Sequence, residues 1–304
     1  ELEEPGGGSC GGVMRRPQRC TQCRTSAASE VYNGQGLHPD LGPAASASVG
    51  GDLLVSHWKG VFGKRPCCPI AQAALIEHCV LAPPVSNWVL EKADFLLILH
   101  RARDSAPGPD GLPYSAWAGA PQHIHDELYT MYTDLMNGSE LPPGFNRCFL
   151  ACIPKGDAPG DHIGVARTPD STRPIAMSNA VAKLMAMAIN RALAPAAQKT
   201  ILDRQRGFVR GRSITDNVLE TESLAIRFVK FYAAKSGIVL FDFAAAFPSL
   251  AHCWIFIVLL TMQFPTFLID VIKKLYEDCL IELLYGADTH QPFRAGGHQT
   301  RLPP

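Results

Sequence analysis

The chain has no surplus of charge. Its 304 residues carry 28 Lys and Arg against 28 Asp and Glu, which excludes a uniformly basic nucleic-acid coat and leaves room for a local basic groove. No apolar run approaches the ~18 residues of a membrane-spanning helix, so no membrane partner is expected. The ten cysteines are scattered, a pattern of reduced intracellular thiols rather than of a small disulfide scaffold. Cys20 and Cys23 form a C-x-x-C, but no second ligand pair follows at zinc-site spacing. The candidates are Cys10, His38 and the distant Cys67 and Cys68, and unpaired surface thiols are the simpler reading. The opening ELEEPGGGSC has neither a basic-then-apolar leader nor an initiator Met. A piece of a longer reading frame is expected, acting in the nucleus or cytoplasm.

What is present is enough apolar residue for a core, 47% of the chain. Residues 1–50, rich in Gly, Ser, Ala and Pro, read as a disordered linker, and 51–87 as a helical connector broken by Gly60, Gly63, Pro66 and Pro69. A helix is predicted over Asn87–Arg103, then a turn-rich cluster at Ser105–Pro113. A further helix around Asp126–Met136 turns Leu128, Met131, Tyr132 and Leu135 to one side. CFLACIPK, Cys148–Lys155, reads as a buried strand ending at a lysine. Thr172–Asn179 leads into a helix capped by Ser178 or Asn179, with Val181, Leu184, Met185, Ala188, Ile189 and Leu193 on one stripe. The basic loop Arg204–Asn217 precedes a helix through Tyr232. Helical segments follow near 251–262 and 266–277, then a hairpin turning at Gly286–Asp288. Strands and helices alternate irregularly, which favours an α+β fold.

One stretch poses a chemical question. In IVLFDFAAAFPSL, the apolar run Ile238–Phe241 reads as a buried strand that meets Asp242. A buried carboxylate needs a cation, a metal or a hydrogen-bond network, although on the strand alone a turn-capping role would also explain it.

Five motifs set the context. SAPGPDGLPYSAW, LPPGFNRCFLACIPK, STRPIAMSNAVAKLMAMAINRAL, QRGFVRGRSITDNV and IVLFDFAAAFPSLAH occur in that order. Together they closely resemble the reverse transcriptase domain of non-LTR (LINE-type) retrotransposons, over residues 88 to 304. The resemblance implies a polymerase right hand: a fingers region at 88–235 and a partial palm at 236–304, with a ferredoxin-like palm sheet. It implies an RNA-directed DNA polymerase that extends a DNA primer on an RNA template with deoxynucleoside triphosphates. Such nucleotidyl transfer uses two Mg²⁺ ions roughly 4 Å apart, held by carboxylates.

By the same resemblance Asp242 is the first catalytic aspartate, Phe243 lends a backbone carbonyl to a metal, and Phe247 packs beneath the incoming sugar. Lys155 and Arg173 match the residues that grip the triphosphate, a task suited to a point charge and a planar fork. As isolated residues both would read as solvated surface charges. Gln205, Gly207, Phe208, Gly211, Arg212, Ser213 and Asp216 match the element Q-x-GF-x-x-GRS-x-x-D, implying template contact through Gln205, Arg210 and Arg212. The other reading of this loop is a helix start with Asp216 at the cap and the arginines in water. Its glycine spacing is wrong for an NTPase phosphate loop. Asp110 reads as a turn residue, and the histidines show no ligand spacing.

Three features depart from the family. Ala245 and Pro248 stand where a basic and an acidic residue are usual. Beyond the hairpin only Gly296 and Gln299 are recognisable. The sequence stops at Pro304, before the paired aspartates of the metal site, so this fragment is expected to be inactive alone. The rival readings are a decayed, non-catalytic retroelement remnant with residual RNA binding, and an intron maturase-type reverse transcriptase.

Overall fold

The apolar run CFLACIP lies between two strands, buried over Cys148 and Leu150–Cys152 and emerging at Ile153, which is exposed. The computed structural model describes residues 47–63, 68–79, 81, 87–156, 168–232, 237–243, 245–285 and 288–295. Strand β1 (Cys148–Pro154) pairs antiparallel with β2 (Thr172–Ser178), from Cys148 opposite Ser178 to Pro154 opposite Thr172. On its other side β1 runs parallel to β3 (Leu280–Tyr285), with Cys148 opposite Ile281. The short strands β4 (Asp288–Thr289) and β5 (Phe293–Arg294) both pair antiparallel with β3. β1 accordingly buries Cys148, Leu150, Ala151 and Cys152. Among the described residues strand β2 has no partner on its outer side, which is why it tolerates Pro174.

Nine α-helices are described: α1 (Ala47–Phe62), α2 (Pro69–Ile76), α3 (Lys92–Arg101), α4 (Tyr114–Ala118), α5 (Gln122–Met136), α6 (Ala180–Thr200), α7 (Thr215–Tyr232), α8 (His252–Thr261) and α9 (Thr266–Tyr276). Helix α1 lays Leu54 and Trp58 into a sheet core with Leu150, Ile281, Leu283 and Phe293. A separate helical core joins Phe95 and Leu99 of α3, Tyr132 and Leu135 of α5, Leu184 and Met185 of α6, and Leu268 and Ile269 of α9. Asn146 links the two layers, its Nδ2 donating to the carbonyls of Lys274 and Glu277, each at 2.7 Å. Buried Glu282 in β3 pairs with Arg147, whose guanidinium is thereby held above its usual pKa. The α+β reading holds at this level. No described helix is long and apolar enough to cross a membrane.

The stripes predicted for α5 and α6 are the ones that pack: Leu128, Tyr132 and Leu135, then Leu184, Met185, Ala188 and Ile189 are buried. The two arms of the predicted hairpin pair as β3 and β4, with Tyr285 opposite Asp288; Gly286 and Ala287 at its turn lie outside the described residues. Helix α1 begins at Ala47, inside the segment read as linker. Residues 1–46, with Cys10, Cys20, Cys23 and His38, lie outside the described residues, as do Cys67, Gly296 and Gln299.

One expectation is overturned. Ile238–Phe241 does not form a buried strand: the segment has no regular structure, and Val239, Leu240 and Phe241 are 73%, 84% and 88% exposed. Apolar composition alone cannot make a strand, because its backbone groups need a neighbouring strand, and none pairs here among the described residues. Asp242 is therefore exposed and solvated rather than buried. Helix α7 has the same character, leaving Val218, Leu219, Ile226, Val229 and Phe231 exposed.

The turn-rich cluster Ser105–Pro113 has a definite job. It docks on the junction between β2 and α6, where Asn179 Oδ1 accepts the Asp110 N–H at 3.2 Å. Asn179 stands at the N-cap position, yet its side chain bonds this loop instead of its own helix. Asp110 Oδ1 accepts the Leu112 N–H at 3.0 Å, the turn role read from sequence. A Cβ on Gly108 would collide with the backbone nitrogen and side-chain oxygen of Asn179. Gly111 faces open space but holds φ at +69°. Gly108→Ala is expected to cost about 3 kcal/mol through overpacking, and Gly111→Ala about 1–2 kcal/mol through its left-handed backbone. Urea unfolding of the two variants checks both the values and their order.

Candidate functional site

Lys155 follows the last residue of β1, and Arg173 is the second residue of β2. The ladder sets Ile153 opposite Arg173, and the Lys155 N–H donates to the Ser171 carbonyl at 2.8 Å. The two basic residues therefore sit at one end of the strand pair. Lys155 Nζ donates to the Asp170 carbonyl at 2.7 Å, which steadies its stem, and Arg173 is exposed. Both line a cleft of about 690 Å³ whose walls include Thr172, Lys183, Phe247 and His252.

Phe247 reaches this cleft from the turn 245–249 and is 75% exposed. Its ring meets that of Phe208 edge to face, centroids 5.6 Å apart and planes at 86°. The motif around Asp242 and the basic glycine loop are thus adjacent in space. Asp242 itself is not among the cleft-lining residues. Phe243 borders a separate groove with Ala71, Leu75 and Trp254.

Divalent magnesium takes oxygen ligands and needs several convergent ones. Among the described residues no group of three or more His, Cys, Asp or Glu converges to hold a metal ion. The described residues around Asp242 therefore supply no such convergent set for a pair of Mg²⁺ ions.

The basic loop divides its arginines between structure and surface. Arg212 is largely enclosed, its side chain 16% exposed, and donates to the carbonyls of Gln198, Ile201, Leu202 and Gln205 at 3.1, 2.9, 2.6 and 2.9 Å. It thereby satisfies carbonyls at and beyond the C-terminal end of α6, where cations are favoured. Arg206 pairs with Glu220 at 2.8 Å and Asn217 at 2.6 Å. Gln205 Nε2 donates to the Gly207 carbonyl at 3.0 Å. Arg210 is exposed, and its carbonyl accepts from Gln198. Ser213 Oγ accepts the Thr215 N–H at the start of α7, while Asp216 occupies the helix's first turn.

Sequence reasoning missed Lys183. Its Nζ donates to Ser105 Oγ at 3.0 Å and the Ala106 carbonyl at 3.2 Å, and lies 5.4 Å from the Tyr114 ring centre. Burial pushes its pKa down. The available signal was a lone lysine in the alanine- and methionine-rich opening of α6. His252, one of the histidines without ligand spacing, lines the cleft; its ring is 4.6 Å from that of Tyr276, and burial lowers its pKa.

No known protein-family model matches the chain. The chain is similar to a transposon protein. It is 24% identical over 259 residues to the "Transposon TX1 uncharacterized 149 kDa protein" of Xenopus laevis. The match covers 82% of this chain and 19% of the length of that protein.

Two thiols also line the cleft, and burial raises Cys148 to about 11 and Cys279 to about 12. Cys152, in the sheet core, is raised to about 12. A raised acid pKa means the folded state holds protons that the unfolded chain loses above its ordinary value of 9.0. Unfolding is therefore favoured as pH rises from about 9 through 11 to 12. Equilibrium unfolding should show stability level with respect to these thiols below pH 8 and falling above pH 9. The triple variant Cys148→Ser, Cys152→Ser, Cys279→Ser is expected to flatten that fall.

Proposed function

We propose that the chain derives from a retroelement and is a piece of an RNA-directed DNA polymerase whose cleft receives the triphosphate of an incoming deoxynucleotide. The observation that carries this reading is the meeting of Lys155, Arg173 and Phe247, from three separate motifs, on one cleft. The order of the five motifs and the similarity to the TX1 protein support it. In this reading Lys155 supplies a point charge and Arg173 a bidentate fork to the phosphates. Phe247 packs under the sugar and disfavours a 2′-hydroxyl. The partners are an RNA template, a DNA primer and deoxynucleoside triphosphates. Residues 88–235 correspond to the fingers and 236–304 to part of the palm, and Arg210 is the loop residue proposed to approach template phosphate.

Asp242 keeps the place of the first catalytic carboxylate by its motif. Since the described residues around it form no convergent metal-ligating group, no chemical step is assigned to it, and what is proposed for this chain is recognition of substrate and template. Its position on an exposed segment outside the sheet also favours a second reading, a non-catalytic remnant that binds nucleic acid.

Equilibrium titration with a fluorescent deoxynucleoside triphosphate tests the cleft. Lys155→Ala and Arg173→Ala are each expected to weaken binding about tenfold or more, as for loss of a hydrogen bond to a charged group. Affinity should fall with salt. Phe247→Ala should narrow the preference for deoxy- over ribonucleotide. Equal affinity in the wild type and the Lys155/Arg173 double variant, with unchanged unfolding midpoints, would refute the assignment.

A further inference from the structure

Phe208 is 95% exposed, an unusual position for a phenylalanine. It also holds φ at +62°, a left-handed conformation that bulky non-glycine residues rarely adopt. Its surroundings fix that conformation. Gln205 bonds the carbonyl of the preceding Gly207, Arg212 gathers four carbonyls including that of Gln205, and Arg206 ties the loop to Glu220 of α7. The only ring that Phe208 meets among the described residues is that of Phe247, in a T-shaped pair, and at 95% exposure nearly all of the Phe208 side chain stays open to solvent. Strain held in place by a rigid frame, with an apolar side chain presented to water, is a pattern associated with binding sites.

We propose that Phe208 is a stacking platform for an unpaired nucleobase of a single-stranded nucleic acid, at the mouth of the cleft lined by Phe247. Charge selects this occupant over an apolar protein surface. Four arginines lie within the nine residues Arg204–Arg212. Arg206 and Arg212 are spent inside the fold, while Arg204, 88% exposed and 3.9 Å from Glu220, and the exposed Arg210 stand on either side of Phe208 in the chain. An exposed aromatic ring in a loop that also carries accessible guanidinium groups suits a strand's alternation of base and phosphate, and stacking tolerates any base because each has a π-face. The inference deepens the polymerase reading and rests on it only for naming the strand as template.

The test compares the 304-residue chain's binding to a fluorescein-labelled twelve-nucleotide oligouridylate with that to an abasic twelve-mer carrying the same phosphates. Wild type is expected to prefer the base-bearing strand by about five- to a hundredfold, the range of one to a few stacked bases. Phe208→Ala should abolish the preference, Phe208→Trp should keep it, and Arg210→Ala should weaken both strands alike. Because Phe208 is exposed, its substitutions should leave the unfolding midpoint in place or raise it. Equal binding of the two strands by wild type would overturn the proposal. So would a preference that survives Phe208→Ala, or a change confined to self-association, which would assign the ring to a protein contact. Base preference that persists where triphosphate titration fails would uphold the platform and reject the nucleotide cleft; the converse would do the opposite.

Discussion

The antiparallel pairing of β1 with β2 is the constraint on which the site depends. Seven register pairs lock Cys148 to Ser178 at one end and Pro154 to Thr172 at the other. A slip of one residue would turn every side chain of β2 to the opposite face and carry Arg173 away from Lys155. The same register delivers Asn179 to the end of β2, where it holds the Ser105–Pro113 loop and opens α6. Sheet, loop and long helix are thus positioned by one ladder, and the cleft lies where they meet.

Much of this frame was legible before any coordinates. β1 was readable because an unbroken apolar run of its length fits a central strand, and α6 because its apolar residues recur every three to four positions. Strand β2 was not. Its proline and weak alternation hide an edge strand, which is recognisable only once β1 offers a partner. The turn chemistry of Gly108, Asp110 and Gly111 was readable as turns, but the surface they dock on was not, since the contact with Asn179 joins residues far apart in sequence.

The functional residues divide along the same line. Lys155, Arg173 and Phe247 were named from motifs, and the fold places them on one cleft. Arg212 was named with them from its motif, and the fold sets its guanidinium among backbone carbonyls at the end of α6. Residue type says that an arginine can bind phosphate or carbonyl; only the neighbouring helix end decides which is within reach. Asp242 shows the converse. A run of four apolar residues suggested burial, yet strand formation depends on a partner backbone that local sequence does not encode. The carboxylate stands in water, and the puzzle of a buried charge dissolves. Lys183, a lysine in a helix, carried too little local signal, and Phe208 was marked by its motif but given no role until packing gave each a neighbour.

The central requirement is that a nucleotide binds in the cleft between β1, β2 and the 245–249 turn. Photo-crosslinking with an azido-deoxyadenosine triphosphate, followed by peptide mapping, tests this most directly. The expected result is adducts on the peptides that contain Lys155, Arg173 or Phe247, suppressed by unlabelled deoxynucleoside triphosphate. Adducts confined to other surfaces, such as the groove between α5 and α9 near Gly138 and Lys274, or labelling that competitor does not suppress, would contradict it.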